Sequence, residues 1–342
     1  MTSKRAGTLA ALLVTAALLC AMPGLLQALT LGDGNRMDER LRPARLRPLT
    51  VWLLPDEMDD RRLIASLCTA FEKQHPGVRI FLRSVAAEEW RQEDAVLPDV
   101  ALFSTGNVSE PERLLLPLNG LGDRALSCAS SAGQCYGAAL WLSPSVLAMP
   151  AEWFSQAAQT ALLGAAQPET PALLSPEAAP WDRLLGTDGL ALPQGVMLQQ
   201  LLLCCPRSLR PALSAWAQPD APRARMLALK QYRKQQNLTA CVLSPAVCQQ
   251  VRYAGLCRDG DDARAFLAFL MDDANRVQAV PHGFLPVGAA AEGDELTKAL
   301  SMVYQRAVMP NAFAHTAQEL QSLCLDAFRR GQDPVETLLR LQ

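Results

Sequence analysis

The segment from 49 to 103 limits the fold more than any other part of the chain. "LTVWLL" is an unbroken apolar run that includes Val51 and Trp52, the pattern of a strand buried on both faces, and "PDEMDD" closes it with turn and helix-start residues. In "RRLIASLCTAFEKQH", Leu63, Leu67 and Phe71, with Ile64 and Cys68 beside them, make one apolar stripe at helical spacing, and Pro76-Gly77 stops it. "VRIFLRSV" alternates Val78, Ile80 and Leu82 against Arg79, Phe81 and Arg83, the period of a strand. A short polar helix around "AAEEWRQED" then leads to "PDVALF", a second buried strand. The order β-α-β-α-β predicts a mostly parallel sheet with right-handed crossovers, whose ligand sits beyond the carboxyl ends of the strands. Those ends are "PDEMDD" and "STGN".

At 342 residues the chain exceeds one ordinary core, so two lobes are expected. A hydrophobic share of 50% with 19% charged residues suits a globular protein. Lys and Arg number 32 against 34 Asp and Glu, a net charge of -2, so no field recruits nucleic acid and it is excluded as a partner. Lys4 and Arg5 precede "AGTLAALLVTAALLCAMPGLLQALTL", which reads as a secretory signal or a retained membrane anchor, and export follows either way. Cys20 invites acylation although Leu19 suits a lipoprotein signal badly, and Leu26-Gln27-Ala28 is a poor cleavage site, so cleaved, acylated and retained forms all stay open.

Near the far end, "ARAFLAFLMDDANRVQAVPHGFLPVG" begins as an amphipathic helix and passes through a polar stretch and a His282-Gly283 turn into a short apolar strand ending in proline. With "LTVWLL", "LCTAFEKQHPGVRIFL" and "LPDVALFSTGN", it resembles the extracellular solute-binding proteins of ABC importers, in the carbohydrate-associated family that includes maltose-binding protein. "VMPNAFAHTAQELQSLCLDAFRRGQDPVETLLRLQ" is similar to that family's closing helices, so the likeness runs from 49 to 342. It implies a two-lobed periplasmic-binding-protein-like α/β fold of type II, each lobe a mixed, mostly parallel sheet flanked by helices. Lobe 1 would be 49–139 plus 254–290 and lobe 2 140–253 plus 291–342, after a signal or anchor at 1–30 and a linker at 31–48. The implied function is an exported, monomeric binding protein without a cofactor, held at the membrane through its N-terminal segment. It would close on a small polar solute, foremost a carbohydrate, and deliver it to ABC permease subunits. The chain departs from the pattern between 151 and 247, where the glycine-rich aromatic segments that line the family's cleft are scarce, and only 6% of residues are aromatic. Glu319 stands near where sugar binders of the family place a stacking aromatic, so no ligand role transfers there.

Asp56 and Glu57 lie at the end of the first strand, where carboxylates can accept hydrogen bonds from solute hydroxyls, while Asp59 and Asp60 are expected to stabilise the start of the helix. Ser104, Thr105, Gly106 and Asn107 offer small polar groups at the cleft floor, or an ordinary turn. Trp141 falls where the family's chain crosses between lobes, and its ring would stack on a sugar or pack in the core. The chain around Tyr253 is expected to add to the same site. Cys128 and Cys135 flank "ASSAGQ", whose Gly133 suits a hairpin turn, so an oxidising exterior would bridge them. Cys241 and Cys248 share that spacing with a less obvious turn, and the alternative is that all ten cysteines stay reduced.

Enzyme motifs are missing: no phosphate loop, dinucleotide fingerprint, H-E-x-x-H or G-x-S-x-G occurs. His75, His282 and His315 are the three histidines; His75 and His282 read as structural, and no His-based catalytic pair is indicated. "RDGDDARAF" resembles half a calcium loop but lacks the downstream glutamate and directly precedes a helix, so Asp261 or Asp262 is expected to be a helix cap and no metal site is expected. Three other readings stay open: a polyamine or metal-ion binder of the same fold if Asp56, Glu57 and other carboxylates converge, a sensor or interaction protein that lost transport, and, last, an exported hydrolase.

Overall fold

The computed structural model describes residues 46–56, 58–90, 96–118, 128–153, 172–174, 181–184, 188–191, 208, 221–235, 237–243, 250–305 and single positions between 307 and 332. The expected N-terminal signal or anchor, Glu57, Cys248 and His315 lie outside these residues. Among the described residues no helix is long and apolar enough to cross a membrane.

Two sheets organise the chain. The larger takes β1 (Arg47–Leu53), β2 (Val78–Ser84), β3 (Val100–Ser104), β4 (Cys128–Ser131), β5 (Gln134–Leu142), β10 (Val251–Leu256) and β11 (Leu285–Pro286); the smaller takes β6 (Ser145–Met149), β7 (Ala172–Leu174), β8 (Arg225–Ala228) and β9 (Thr239–Leu243). Strand order in the larger is β11-β5-β10-β3-β1-β2, with β4 on β5. β1 pairs in parallel with β2 and β3, as a helix-connected β-α-β-α-β run requires. The remaining pairings of this sheet are antiparallel, so the expected parallel sheet is confined to β2-β1-β3. The reason lies in the connections: β4 and β5 are joined by a tight hairpin, which permits only antiparallel pairing, and β10 comes back along β5. The chain leaves the large sheet after Leu142 for the small one at Ser145 and returns to it at Val251, so β5 and β10 belong whole to the large sheet.

Period-two alternation sorts each central strand between two apolar clusters. Leu49, Val51 and Leu53 of β1, with Val100 and Leu102 of β3 and Ala254 and Leu256 of β10, face helices α1 (Arg61–Gln74) and α2 (Asp261–Met271). Trp52, Ala101, Phe103, Val251 and Tyr253 face the opposite way. β1 is thus buried on both sides, as its unbroken apolar run predicts. The α1 stripe of Leu63, Ile64, Leu67 and Phe71 is fully buried, each side chain contributing roughly 2 kcal/mol. Phe71 meets Phe266 and Phe269 edge-on at 5.1 and 5.4 Å, and His75 stacks on it at 4.1 Å, which gives that histidine a packing role.

After α2 come a helical turn (Asp273–Arg276) and a 3-10 turn (Val277–His282), which ends at Gly283 with φ 84° before β11 pairs with β5. Only glycine suits this point, because a Cβ there would meet the Lys230 backbone at 2.9 Å in addition to the left-handed strain. Neither Asp261 nor Asp262 is the expected helix cap: the N-cap is Gly260, both aspartates lie in the first turn of α2, and Asp262 is committed to a fork with Arg47 at 2.7 and 2.9 Å. A third helix, α3 (Glu295–Tyr304), is capped by Asp294, and its Tyr304 hydroxyl accepts from the backbone N–H of Ser145 at 2.8 Å, which ties it to the start of β6.

The β4–β5 hairpin turns through Ala132 (φ 48°) and Gly133 (φ 79°), both left-handed, as a two-residue hairpin loop requires. Cys128 and Cys135 are joined by a disulfide across it, their Cα atoms 5.8 Å apart, while Cys68, Cys241 and Cys257 are buried free thiols. Alanine is poorly suited to φ 48°, so Ala132→Asn should raise unfolding stability by about 0.5–1 kcal/mol in urea titration, and a loss of stability would contradict the turn geometry. Replacing both Cys128 and Cys135 with serine should cost about 2 kcal/mol by the same assay, the usual effect of opening so short a loop.

Candidate functional site

A cavity of about 490 Å³ opens at the carboxyl ends of β1 and β2, lined by Leu54, Asp56, Asp59, Ser84, Arg61 and Arg252 among others. Its position follows from the parallel β2-β1-β3 unit, whose strand ends all point the same way. Behind it lies a buried ion pair. Arg252, at the start of β10, is 1% exposed, donates Nε and Nη2 to Asp60 at 2.9 and 3.0 Å, and holds Asp56 through Nη2 at 2.5 Å. The indole N–H of Trp141 donates to the same Asp60 carboxylate at 2.9 Å. Asp60 occupies the N-cap position of α1 yet makes no side-chain cap hydrogen bond, because its carboxylate is committed to Arg252 and Trp141. Asp60 thus stands at the helix start as expected, but its hydrogen bonds go to neutralising a buried arginine.

Asp56 exposes its backbone while its side chain turns inward, 10% exposed, and accepts from the Met58 N–H at 2.9 Å. Burial pushes its carboxyl up, the Arg252 guanidinium pulls it down and the Asp60 charge raises it again; burial prevails, and the group titrates at about 6. Asp59 is different. It is solvent-exposed, and hydrogen bonding and charge from Lys230, whose Nζ reaches its carboxylate and its carbonyl at 2.7 Å each, hold its pKa below the usual value. Lys230 sits in the helical turn Leu229–Tyr232 that follows β8, so the loop after β1 is gripped from both sheets.

The end of β3 supplies the second polar group. Asn107 Oδ1 accepts from the Ser104 backbone N–H at 2.7 Å and from its hydroxyl at 3.0 Å, and Asn107 Nδ2 donates to the Pro55 carbonyl at 3.0 Å. Ser104 and Asn107 therefore clasp the β3 end to the loop after β1. Thr105 is buried, its hydroxyl without a partner, and Gly106 turns the chain at φ 80° and donates to the Ala312 carbonyl at 2.8 Å. These residues adjoin the cavity loop through Pro55 but do not line the cavity itself.

Trp141 and Tyr253 do not offer rings to a solute. Trp141 is 0% exposed, and Tyr253 is buried with its ring stacked on Phe103 at 5.5 Å. Both corrections have one cause: β5 and β10 are inner strands with neighbours on each side and helices or loops over each face, so no aromatic plane reaches the cleft. Of the seven expected ligand residues, the structure brings Asp56, Ser104, Thr105 and Asn107 to the strand ends, places Trp141 and Tyr253 in the core, and leaves Glu57 outside the described residues. Sequence reasoning missed Arg252, although an arginine inside the apolar run "VRYAGL" already demands a buried carboxylate.

The sign of the Asp56 shift fixes a pH effect. An unfolded aspartate ionises near 3.8 and the folded one at about 6, so within that window the native chain holds the extra proton and stability falls as pH rises through it. The stability of the wild type relative to Asp56→Asn should therefore decline from pH 4 to pH 6, then level off. Urea unfolding of both chains at several pH values measures this, and a rising difference would contradict the burial argument.

No family model matches the sequence, and no curated protein matches it at a significant level. Solved structures do match. One is the GacH receptor of Streptomyces glaucescens GLA.O, solved unliganded and in complex with acarbose and an acarbose homologue, at 14% identity over 86% of this chain and 97% of that one, with a TM-score of 0.50. Another is the galacto-N-biose/lacto-N-biose I-binding protein of the ABC transporter from Bifidobacterium longum, in complex with lacto-N-biose, at 13% identity over 87% of this chain and 96% of that one, with a TM-score of 0.50. At such low identity the likeness establishes the fold alone: this chain has the two-lobed, periplasmic-binding-protein-like α/β fold.

Proposed function

We propose that the chain is an exported solute-binding protein that captures a small, hydroxyl-rich solute, a carbohydrate, and passes it to the permease subunits of an ABC importer. The carrying observation is the cavity at the carboxyl ends of β1 and β2, which Asp56 lines and whose wall holds the Asp56–Arg252 pair. Similar folds that bind acarbose and lacto-N-biose support a sugar as the class of solute. The carboxylates of this region do converge, but on cations of the protein itself: Asp56 and Asp60 face Arg252, and Asp59 faces Lys230. A polyamine or metal ion would have to displace those partners, which disfavours the cationic reading, and among the described residues no cluster of metal-ligating side chains occurs. Binding rather than bond-breaking is the activity, the protein acts as a monomer without a cofactor, and the apolar N-terminal run carries it out of the cytoplasm and holds it at the membrane.

The function is tested by thermal unfolding of the purified full chain with acarbose, maltotriose, lacto-N-biose, spermidine and calcium. A bound sugar at a hundred times its Kd should stabilise the chain by about 2.7 kcal/mol. Stabilisation by spermidine or calcium and by none of the sugars would replace carbohydrate with the cationic class, and an effect from none of them would leave a sensor or interaction protein.

A further inference from the structure

Solute capture alone does not explain a buried arginine in an inner strand. One guanidinium serves two carboxylates, and it divides unequally between them. Asp60 takes the fork of Nε and Nη2, accepts the Trp141 indole as well, and has no exposed side-chain surface. Asp56 meets Nη2 alone, adds the Met58 N–H, and stays partly open to the cavity. Arg252 Nη1 is buried without a hydrogen-bond partner, so the guanidinium keeps unspent donor capacity beside the cavity it lines. Two negative charges against one positive leave the cluster short of balance, and of the two carboxylates Asp56 is where a proton or a solute hydroxyl can arrive.

We propose that Arg252 is a positioning residue that couples solute capture to the protonation of Asp56: it holds Asp56 and Asp60 in place, and the carboxylate it serves less well exchanges a proton for a hydroxyl donor of the solute. The solute half of this rests on the carbohydrate reading above; the cluster does not. The charged groups facing Asp56 are Arg252 from β10 and Asp60 from the start of α1, with Asp59 and Arg61 around the cavity, while the lining from the end of β2 onward, Ser84 to Ala86, is uncharged. Burial keeps the Asp56 proton on up to about pH 6. A hydroxyl that donates to ionised Asp56 must displace that proton below this point, so affinity should fall by about tenfold for each pH unit below 6 and stay flat above it.

The test has two arms on the full chain. Carbon-13 NMR of labelled aspartate carboxyls, with the Asp56 signal assigned by its loss in Asp56→Asn, should show a midpoint near 6. Arg252→Lys keeps the charge but gives up the fork, so it should fold and move that midpoint upward, whereas full removal of the arginine endangers folding. The second arm is calorimetric titration, from pH 5 to 7.5, with the most stabilising sugar of the screen. Affinity should weaken about tenfold from pH 6 to pH 5 in the wild type, and binding by Asp56→Asn, though weaker, should be independent of pH. A wild-type midpoint near 4, a midpoint unmoved by Arg252→Lys, or an affinity flat across this range would each overturn the proposal. A midpoint near 6 that moves with Arg252→Lys, with no sugar bound at any pH, would uphold the positioning role and sink the carbohydrate reading instead.

Discussion

The Asp60–Arg252 pair is the constraint from which the rest of the site follows. An arginine in an inner strand is enclosed by neighbouring strands and covered faces, and removing one ion from water costs several kcal/mol unless its donors are matched. Asp60 supplies the match, and three local features of the chain are consequences. The first turn of α1 forgoes its side-chain cap; Trp141 is fixed at its indole nitrogen; and the loop between β1 and α1 is held to β10, the strand that returns from the small sheet. A pair of this kind is weak evidence for stability as such, since well-packed apolar groups could fill the same space. What it provides is position. Asp56 and Asp60 both meet the same guanidinium, and Asp56 lies on the cavity as they do so.

The fold was legible in the sequence where burial alone decides structure. The unbroken apolar run of β1, the stripe of α1 and the alternation of β2 each have a period that only one element satisfies, and the structure shows them as read. The late helix-turn-strand was legible for the same reason, with Gly283 marking the turn because no other residue tolerates both its φ and its closeness to Lys230. The direction of the strands was less so. Period two says that a strand forms and which faces it buries, but not what it pairs with, and β4, β5, β10 and β11 find antiparallel partners far along the chain.

Of the site, the strand ends were readable and the chemistry between them was not. Asp56 and the 104–107 segment could be placed because parallel strands end on one side of a sheet. Trp141 could not be assigned, because a tryptophan at a lobe crossing has the same sequence context whether its ring faces a cleft or a core. What decides is Asp60, 81 residues away, together with the sheet neighbours of β5. Asp60 misled for a related reason: an aspartate before an apolar helical stripe is an ordinary N-cap unless a buried cation competes for it, and the cation here is 192 residues downstream.

The two grips on the loop after β1 differ in kind, and the difference bears on motion. Lys230 reaches Asp59 from the turn after β8, and that pair is open to solvent, with 82% of the Asp59 side chain exposed. Exposed pairs of this sort exchange readily for water and contribute little. Arg252 reaches Asp60 and Asp56 with almost no solvent contact, and separating it from either would strand a charge in the interior. Any movement of the small-sheet connections relative to the large sheet therefore has a cheap contact to give up and an expensive one to keep. In such a movement the buried Arg252 pairs would hold and the exposed Lys230 pair would be the one to part. A solute that shifts such an equilibrium must touch groups whose surroundings differ between the two arrangements. Asp56 is placed for this, because it shares the fixed arginine on one side and faces the open cavity on the other.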